Sequence, residues 1–148
     1  MKGLQGNTWW LWALVLVSIG GCEFTYNGCM DPEAVNFDAT AETDDGSCMF
    51  QGEAVFWYDA AISEDLDAYL SDSLTFIIDG NEMLTVETNS YWLVAPACGA
   101  SNSYTISLDL QDGEPQVSTY QVIDNFNDIL WDGLVAFNVN GCTAVELN

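Results

Sequence analysis

Positive charge is almost absent from this chain. It holds one Lys, Lys2, no Arg and no His, against 23 Asp and Glu, for a formal net charge of −22 over 148 residues. Without His there is no Ser–His or Cys–His nucleophile. Without Lys or Arg beyond residue 2, no cationic side chain is available to clamp a phosphate or a developing oxyanion. Nucleic acid is excluded as a partner on the same ground, because nothing can neutralise its backbone. A pair of carboxylates of the glycosidase kind remains open on paper. With 23 acids such a pair can always be drawn, so it carries no weight. The expectation is a protein that is not an enzyme. Beyond Lys2, every carboxylate must find backbone N–H groups, hydroxyls, water or a metal cation, since no other side chain can form a salt bridge. Self-repulsion should weaken the compact state, and salt should relieve it. Hydrophobic residues nevertheless make up 49% of the chain, with abundant Trp, Tyr and Phe, which is enough for a core and argues against general disorder.

A long apolar run is also missing. The stretch Trp9 to Ile19, "WWLWALVLVSI", is uncharged but only 11 residues long. A membrane-spanning helix needs ~20. A basic start, a short apolar run and small residues after it read as a secretory signal peptide over residues 1–21. The run ends in "IGGC", Ile19 to Cys22. This resembles the lipobox of bacterial lipoproteins, an aliphatic residue and two small ones before the cysteine that receives lipid. The resemblance implies lipidation of Cys22, a mature chain that starts there, an acylated amine and anchoring in the cell envelope, with the bacterial outer membrane as the expected site. Residues 22–27 would be the lipidated tether. Two acyl chains anchor stably where one is marginal.

Five cysteines in an exported chain leave one over. Lipid on Cys22 accounts for it. The remaining four allow three connectivities, of which sequence neighbours suggest Cys29–Cys48 and Cys98–Cys142. On the chain-entropy account the first bond contributes ~3 kcal/mol and the second, closing a longer loop, ~4 kcal/mol. A four-thiolate metal site is the rival, but no C-x-x-C pair is present and export is oxidising.

Residues 28–48, "GCMDPEAVNFDATAETDDGSC", form an acidic segment between two cysteines. Asp31 before Pro32 reads as a helix N-cap with Pro at the first helical position, so "DPEAVNF" is expected to make one or two helical turns. "DDGS", Asp44 to Ser47, reads as a tight turn. The segment is similar to a cysteine-bounded motif of bacterial surface proteins, G-C-x-D-P-x-A-x-N-[YF]-[DN]-x-x-A-x-x-D-D-G-S-C. The matching residues are Gly28, Cys29, Asp31, Pro32, Ala34, Asn36, Phe37, Asp38, Ala41 and Asp44 to Cys48. Its acidic turns more weakly resemble the calcium-binding repeats of thrombospondin type 3. Calcium takes six to eight oxygen ligands. Asp31, Asn36, Asp38, Asp44 and Asp45 offer such oxygens within one closed loop, so calcium is the candidate cofactor. The EF-hand spacing is absent. The alternative is a stapled spacer whose Asp side chains cap turns and face water.

From residue 51 the pattern changes to short apolar runs divided by turns. Strands are expected at Glu53–Ala60, Ser73–Asp79, Met83–Thr88, Tyr91–Ala95, Ser103–Leu110, Gln116–Ile123, Trp131–Val139 and Cys142–Leu147. Asp79-Gly80 is a hairpin signal. Tyr104, Ile106, Leu108 and Leu110 alternate with polar residues, as do Val135, Phe137 and Val139. "AISEDLDAYLSDS", residues 61–73, places Ile62, Leu66, Tyr69 and Leu70 at helical spacing and reads as a short helix or a long loop. The fold class this implies is all-β, an antiparallel β-sandwich over residues 51–148.

The same half resembles a small β domain of bacterial envelope lipoproteins, carried by Asp79, Gly80, Cys98 to Ser101, Trp131, Gly133, Gly141 and Cys142. That resemblance implies a transthyretin-like or immunoglobulin-like sandwich and supports the pairing of Cys98 with Cys142. The chain departs from it in "DGEPQVSTYQVIDNFNDIL", which is longer than the compact turn before the Trp strand. Trp131 is expected in the core. Trp57 and Trp92 neighbour aromatics that point the other way and are the candidate ligand-binding residues, through sugar stacking. The functional expectation is a lipid-anchored envelope or cell-surface protein of structural, interaction or adhesion type, possessing a membrane anchor and other surface proteins as partners. The alternative is a glycan-binding sandwich.

Overall fold

The computed structural model describes residues 25–148. The expected signal peptide and the lipid-bearing Cys22 lie outside them. Nine strands and one α-helix follow in order: β1 (Asn27–Gly28), β2 (Thr43–Asp44), β3 (Phe50–Trp57), α1 (Ala60–Ala68), β4 (Ser73–Ile78), β5 (Asn81–Glu87), β6 (Tyr104–Leu110), β7 (Gln116–Asp124), β8 (Ile129–Phe137) and β9 (Cys142–Glu146). The described residues are all-β apart from α1 and a short 3₁₀ turn at Gln111–Gly113.

Two sheets make the body. One has the order β6-β3-β9 and the other β5-β4-β7-β8. Their facing sides share one core. Phe56 of β3 meets Phe76 of β4 with ring centroids 5.1 Å apart, and Tyr120 of β7 at 5.2 Å. Ala54, Ile106, Leu74, Ile78, Val122, Val135 and Phe137 complete the buried interior. The period of two in the sequence becomes burial directly. Along β6, Tyr104, Ile106 and Leu110 are buried while Ser107 and Asp109 are exposed. The Asp79-Gly80 hairpin forms as a two-residue loop between Ile78 and Asn81, with φ of 48° and 80°. Both positive angles match the twist of the flanking strands. Asp79 also reaches across to β7, where its Oδ1 accepts from the Thr119 N–H at 2.8 Å and the Thr119 hydroxyl at 3.0 Å.

Two expectations fail. Tyr91–Ala95 is not a strand. The segment pairs with no strand and bends at Leu93 and Val94, both exposed. Pro96 follows it and offers no N–H to a ladder. Its one anchor is Trp92, whose N–H donates to the Tyr58 carbonyl at 3.0 Å. The sheets are also not wholly antiparallel: β9 pairs with β3 in parallel, Glu53 opposite Cys142 through Trp57 opposite Glu146. The chain leaves β8 in one sheet, turns at residues 138–141 and enters the other sheet beside its first strand. That change of sheet removes the hairpin geometry that would force antiparallel pairing.

The segment 61–73 resolves as a helix followed by a loop. Asp59 caps α1, its Oδ1 accepting from the N–H groups of Ala61 and Ile62. Leu66 is the helix residue buried in the core, and Tyr69 and Leu70 stay exposed. Both disulfides form as the neighbour pairing suggested, Cys29–Cys48 and Cys98–Cys142. The second fastens the 91–103 loop to the start of β9. The Gly99 N–H adds a bond to Thr105 Oγ1 at 2.9 Å. Val55, on the outward face of β3 beside Thr105, is fully buried.

At one end of the core a polar pair is sealed among rings. The hydroxyls of Tyr58 and Tyr104 lie 3.1 Å apart, and Tyr104 Oη also reaches the carbonyls of Glu87 and Ser90, each at 3.2 Å. Tyr104 has one proton. If it donates to a carbonyl, Tyr58 must donate to Tyr104, and both hydroxyls are satisfied. Burial pushes both phenols above their ordinary pKa of 10.0. Tyr104→Phe leaves the Tyr58 hydroxyl without its acceptor and should cost about 1–3 kcal/mol. Tyr58→Phe leaves Tyr104 its carbonyls and should cost less. Denaturant unfolding of both variants checks the order; equal or reversed losses would contradict this account of the pair.

Candidate functional site

The acidic module is built on turns rather than on an open ring of oxygens. Each candidate calcium ligand already holds a neighbour. Asp31 Oδ1 accepts from the Glu33 N–H at 2.9 Å. Asp38 Oδ1 accepts from Thr40 N–H and Oγ1 at 2.8 and 2.7 Å. Asp44 Oδ1 takes the Gly46 N–H and Asp45 Oδ1 the Ser47 N–H, both at 3.0 Å. Asn36 clips the closing end: its Nδ2 donates to the Ser47 carbonyl at 2.7 Å and its Oδ1 accepts from the Met49 N–H at 2.8 Å. The four Asp residues make Asx turns, the local alternative that short polar side chains offer the backbone, whereas the bonds of Asn36 bridge residues far along the segment. Bonds from Thr40 hold the Asp38 carboxyl below the ordinary value of 3.8, and bonds from Ser47 do the same for Asp45. Among the described residues no three His, Cys, Asp or Glu side chains converge as a metal site would need. The expected helical turns at 31–37 appear only as turns, and short parallel pairings, β1 with β2 and Cys29 with Phe37, take the place of a helix.

The two candidate tryptophans part company. Trp92 sits edge-on against Tyr104 with centroids 4.9 Å apart and packs against Tyr58 at 6.4 Å. Its ring is engaged in covering the polar pair. Trp57 is half-buried on the outward face of β3, beside Glu146 of β9.

A different set of side chains encloses a cleft of about 380 Å³. One wall is α1 and the residue that ends it, with Ile62, Asp65 and Tyr69. The other is the turn between β7 and β8, with Asp124, Phe126 and Asp128. Trp131 of β8 lies between them; contrary to its expected place within the core, it is half-buried against the core's edge and lines the opening. The walls are fastened to one another. Asp124 is buried, and its Oδ1 accepts from the N–H groups of Phe126 and Asp128 at 2.8 and 2.9 Å. Its Oδ2 takes the Ser71 hydroxyl at 3.2 Å. Asn125 accepts from the Asp72 N–H at 3.0 Å and donates to the Leu70 carbonyl at 3.4 Å. The helix end itself turns through Leu70 at φ 59°, with the Ser71 N–H on the Leu66 carbonyl and the Leu70 N–H on that of Asp67. This is a Schellman end with leucine where glycine is favoured. Phe126 and Tyr69 remain 58% and 77% exposed, so their rings are available to a ligand.

Tyr69, Phe126, Asp65 and Asp128 were not legible as site residues. The available signal was the departure at residues 112–130, since "DNFND" supplies the second wall. The arrangement can hold a small molecule by ring faces and carboxylate acceptors. It offers no cationic side chain.

Two opposing effects set the pH dependence. From neutral pH downward, protonation of exposed carboxylates relieves repulsion and stabilises the fold. The lowered pKa of Asp38, Asp45 and Asp79, the last held chiefly by the Thr119 N–H, acts the other way. Their contribution is present above the unfolded value of 3.8 and is lost as pH falls through the folded values. The melting temperature at low salt should therefore pass through a maximum at about pH 4–5. A steady fall from pH 7 would remove the repulsion argument, and a steady rise to pH 2 would remove the capping argument.

Comparison of the chain with known protein families, with curated proteins and with solved structures finds no match.

Proposed function

We propose that this protein is a non-catalytic, lipid-anchored protein of the bacterial cell envelope that presents a rigid interaction surface. Its core is read as an antiparallel sandwich of the transthyretin-like or immunoglobulin-like kind, with β9 added in parallel. One observation carries the reading: the stapled acidic module continues into the sheets without a free hinge. Cys29–Cys48 closes it. The Val35 N–H donates to the Met49 carbonyl at 2.8 Å, one residue before β3 begins. Asn140, in the β8–β9 turn, donates to the Glu33 carbonyl at 2.8 Å. A tether at residues 22–27 would then hold the whole body close to the lipid. The lipobox-like "IGGC" and the cysteine count support the anchor. The anchor is tested by fractionation. Cys22→Ser should move the full chain from the membrane pellet to the soluble fraction, and retention in the pellet would sink the lipoprotein reading.

Calcium is proposed as a stiffener of the acidic module. The hydrogen bonds described engage one oxygen of Asp31, Asp38, Asp44 and Asp45 each, always Oδ1. The second oxygens of Asp31, Asp44 and Asp45 take no such bond, while Asp38 is also approached by the Tyr26 hydroxyl. The detergent-extracted chain should melt higher in calcium than in chelator, saturably, and higher than in magnesium at matched ionic strength. Asp38→Asn with Asp44→Asn keeps the turn chemistry but removes charge, and should abolish the rise. Equal rises with every salt would mean screening alone.

A glycan-binding face is the second reading. The observation favouring it is Trp57, half-exposed on the outer face of β3 with Glu146 opposite it on β9. A ring beside a carboxylate that accepts from hydroxyls suits a sugar.

A further inference from the structure

We infer that the cleft between α1 and the β7–β8 turn is a binding site for a small organic ammonium ion. The cleft measures about 380 Å³, the lower range of small-molecule pockets. Its lining combines two kinds of group. Tyr69, Phe126 and Trp131 contribute aromatic rings. Asp65 and Asp128 contribute carboxylates that, among the described residues, receive no hydrogen bond, unlike Asp124, which is engaged on both oxygens. Ring faces attract a diffuse cation through their quadrupole, by ~0.5–2 kcal/mol each according to desolvation. The carboxylates, exposed at the rim, add a Coulomb attraction that solvent and salt screen.

The helix end contributes in the same direction. Asp65 and Asp67 lie in the last turns of α1, where the macrodipole is negative, and no basic residue balances them. Carboxylates there disfavour the helix. A bound cation would reverse that penalty. The net charge of −22 further concentrates cations at the surface.

The chemistry of the lining separates this ligand from two others. A compact divalent metal needs six or more converging oxygens, whereas much of this cleft is ring and aliphatic surface. A neutral sugar can stack on the rings and donate to the carboxylates, but it leaves the charge of Asp65 and Asp128 uncompensated, whereas a cation neutralises it. An alkylammonium ion is complementary to both halves of the lining, apolar around a positive centre.

Choline and its neutral isostere 3,3-dimethylbutan-1-ol separate charge from shape. The full chain in non-ionic detergent is labelled with ¹⁵N and titrated with each at constant ionic strength. The readout is the Trp131 indole N–H resonance, assigned from the Trp131→Phe spectrum. Choline should shift it saturably, and the alcohol should bind at least tenfold more weakly. Asp65→Asn with Asp128→Asn should weaken choline at least tenfold. Tyr69→Ala, at an exposed position that folding does not need, should weaken it at least threefold. Equal binding of choline and the alcohol would overturn the proposal in favour of a merely apolar cleft. A shift with neutral oligosaccharides but not choline would overturn it in favour of a sugar site. No shift with choline, or full affinity in the Asp65/Asp128 variant, would overturn it outright.

Discussion

Carboxylates without a protein cation to pair with shape most of the loops in this molecule. An Asp in a typical domain can be neutralised by a nearby Lys or Arg. Here it must turn to backbone N–H groups and hydroxyls, which lie closest along its own chain. Asp31, Asp38, Asp44 and Asp45 each fold back on a residue two positions on. Asp59 does the same at the start of α1, and Asp124 holds the turn between β7 and β8. The lack of Lys and Arg is therefore a conformational instruction as well as an electrostatic one: it converts acids into turn-formers. Charge-assisted bonds of this type are stronger than neutral ones. They also bring a dependence on protonation that salt bridges between long side chains would spread over many groups.

The apolar interior resists the repulsion that remains. The two sheets meet through Phe56, Phe76 and Tyr120, with an aromatic cap of Tyr58, Trp92 and Tyr104 at one end. The disulfides act at the places where the sheets give least help. Cys29–Cys48 closes a segment whose only strands are two residues long. Cys98–Cys142 holds down a loop with Leu93 and Val94 exposed, and ties it to the five-residue strand β9. Cross-links of this kind act mainly by restricting the unfolded chain, so they are unaffected by the surface charge.

Some of this organisation was legible in the residues one after another. Alternation in "SYTISLDL" and "LVAF" gave strands whose buried faces came out as read, and Asp79-Gly80 gave a two-residue hairpin. The cysteines pair as sequence neighbours, the one of three connectivities that their order suggested. Where local pattern and tertiary demand disagreed, the latter prevailed. Tyr91–Ala95 has the composition of a strand, yet Pro96 and the demand for a cover over Tyr58 and Tyr104 made it a loop anchored by Trp92.

Composition and spacing determined that the chain folds, that it is all-β, that its acids cap turns and that its cysteines pair as neighbours. These properties depend on near neighbours in sequence or on counts, which a linear reading contains. Tertiary structure decided the parallel docking of β9 beside β3 and the existence of the cleft. Both depend on segments far apart in the chain. The walls of the cleft are joined by bonds from Ser71 to Asp124 and from Asn125 to Leu70, across separations of 53 and 55 residues. No periodicity reports a contact of that length; only the packing of α1 against the end of the second sheet brings those rings and carboxylates to one opening.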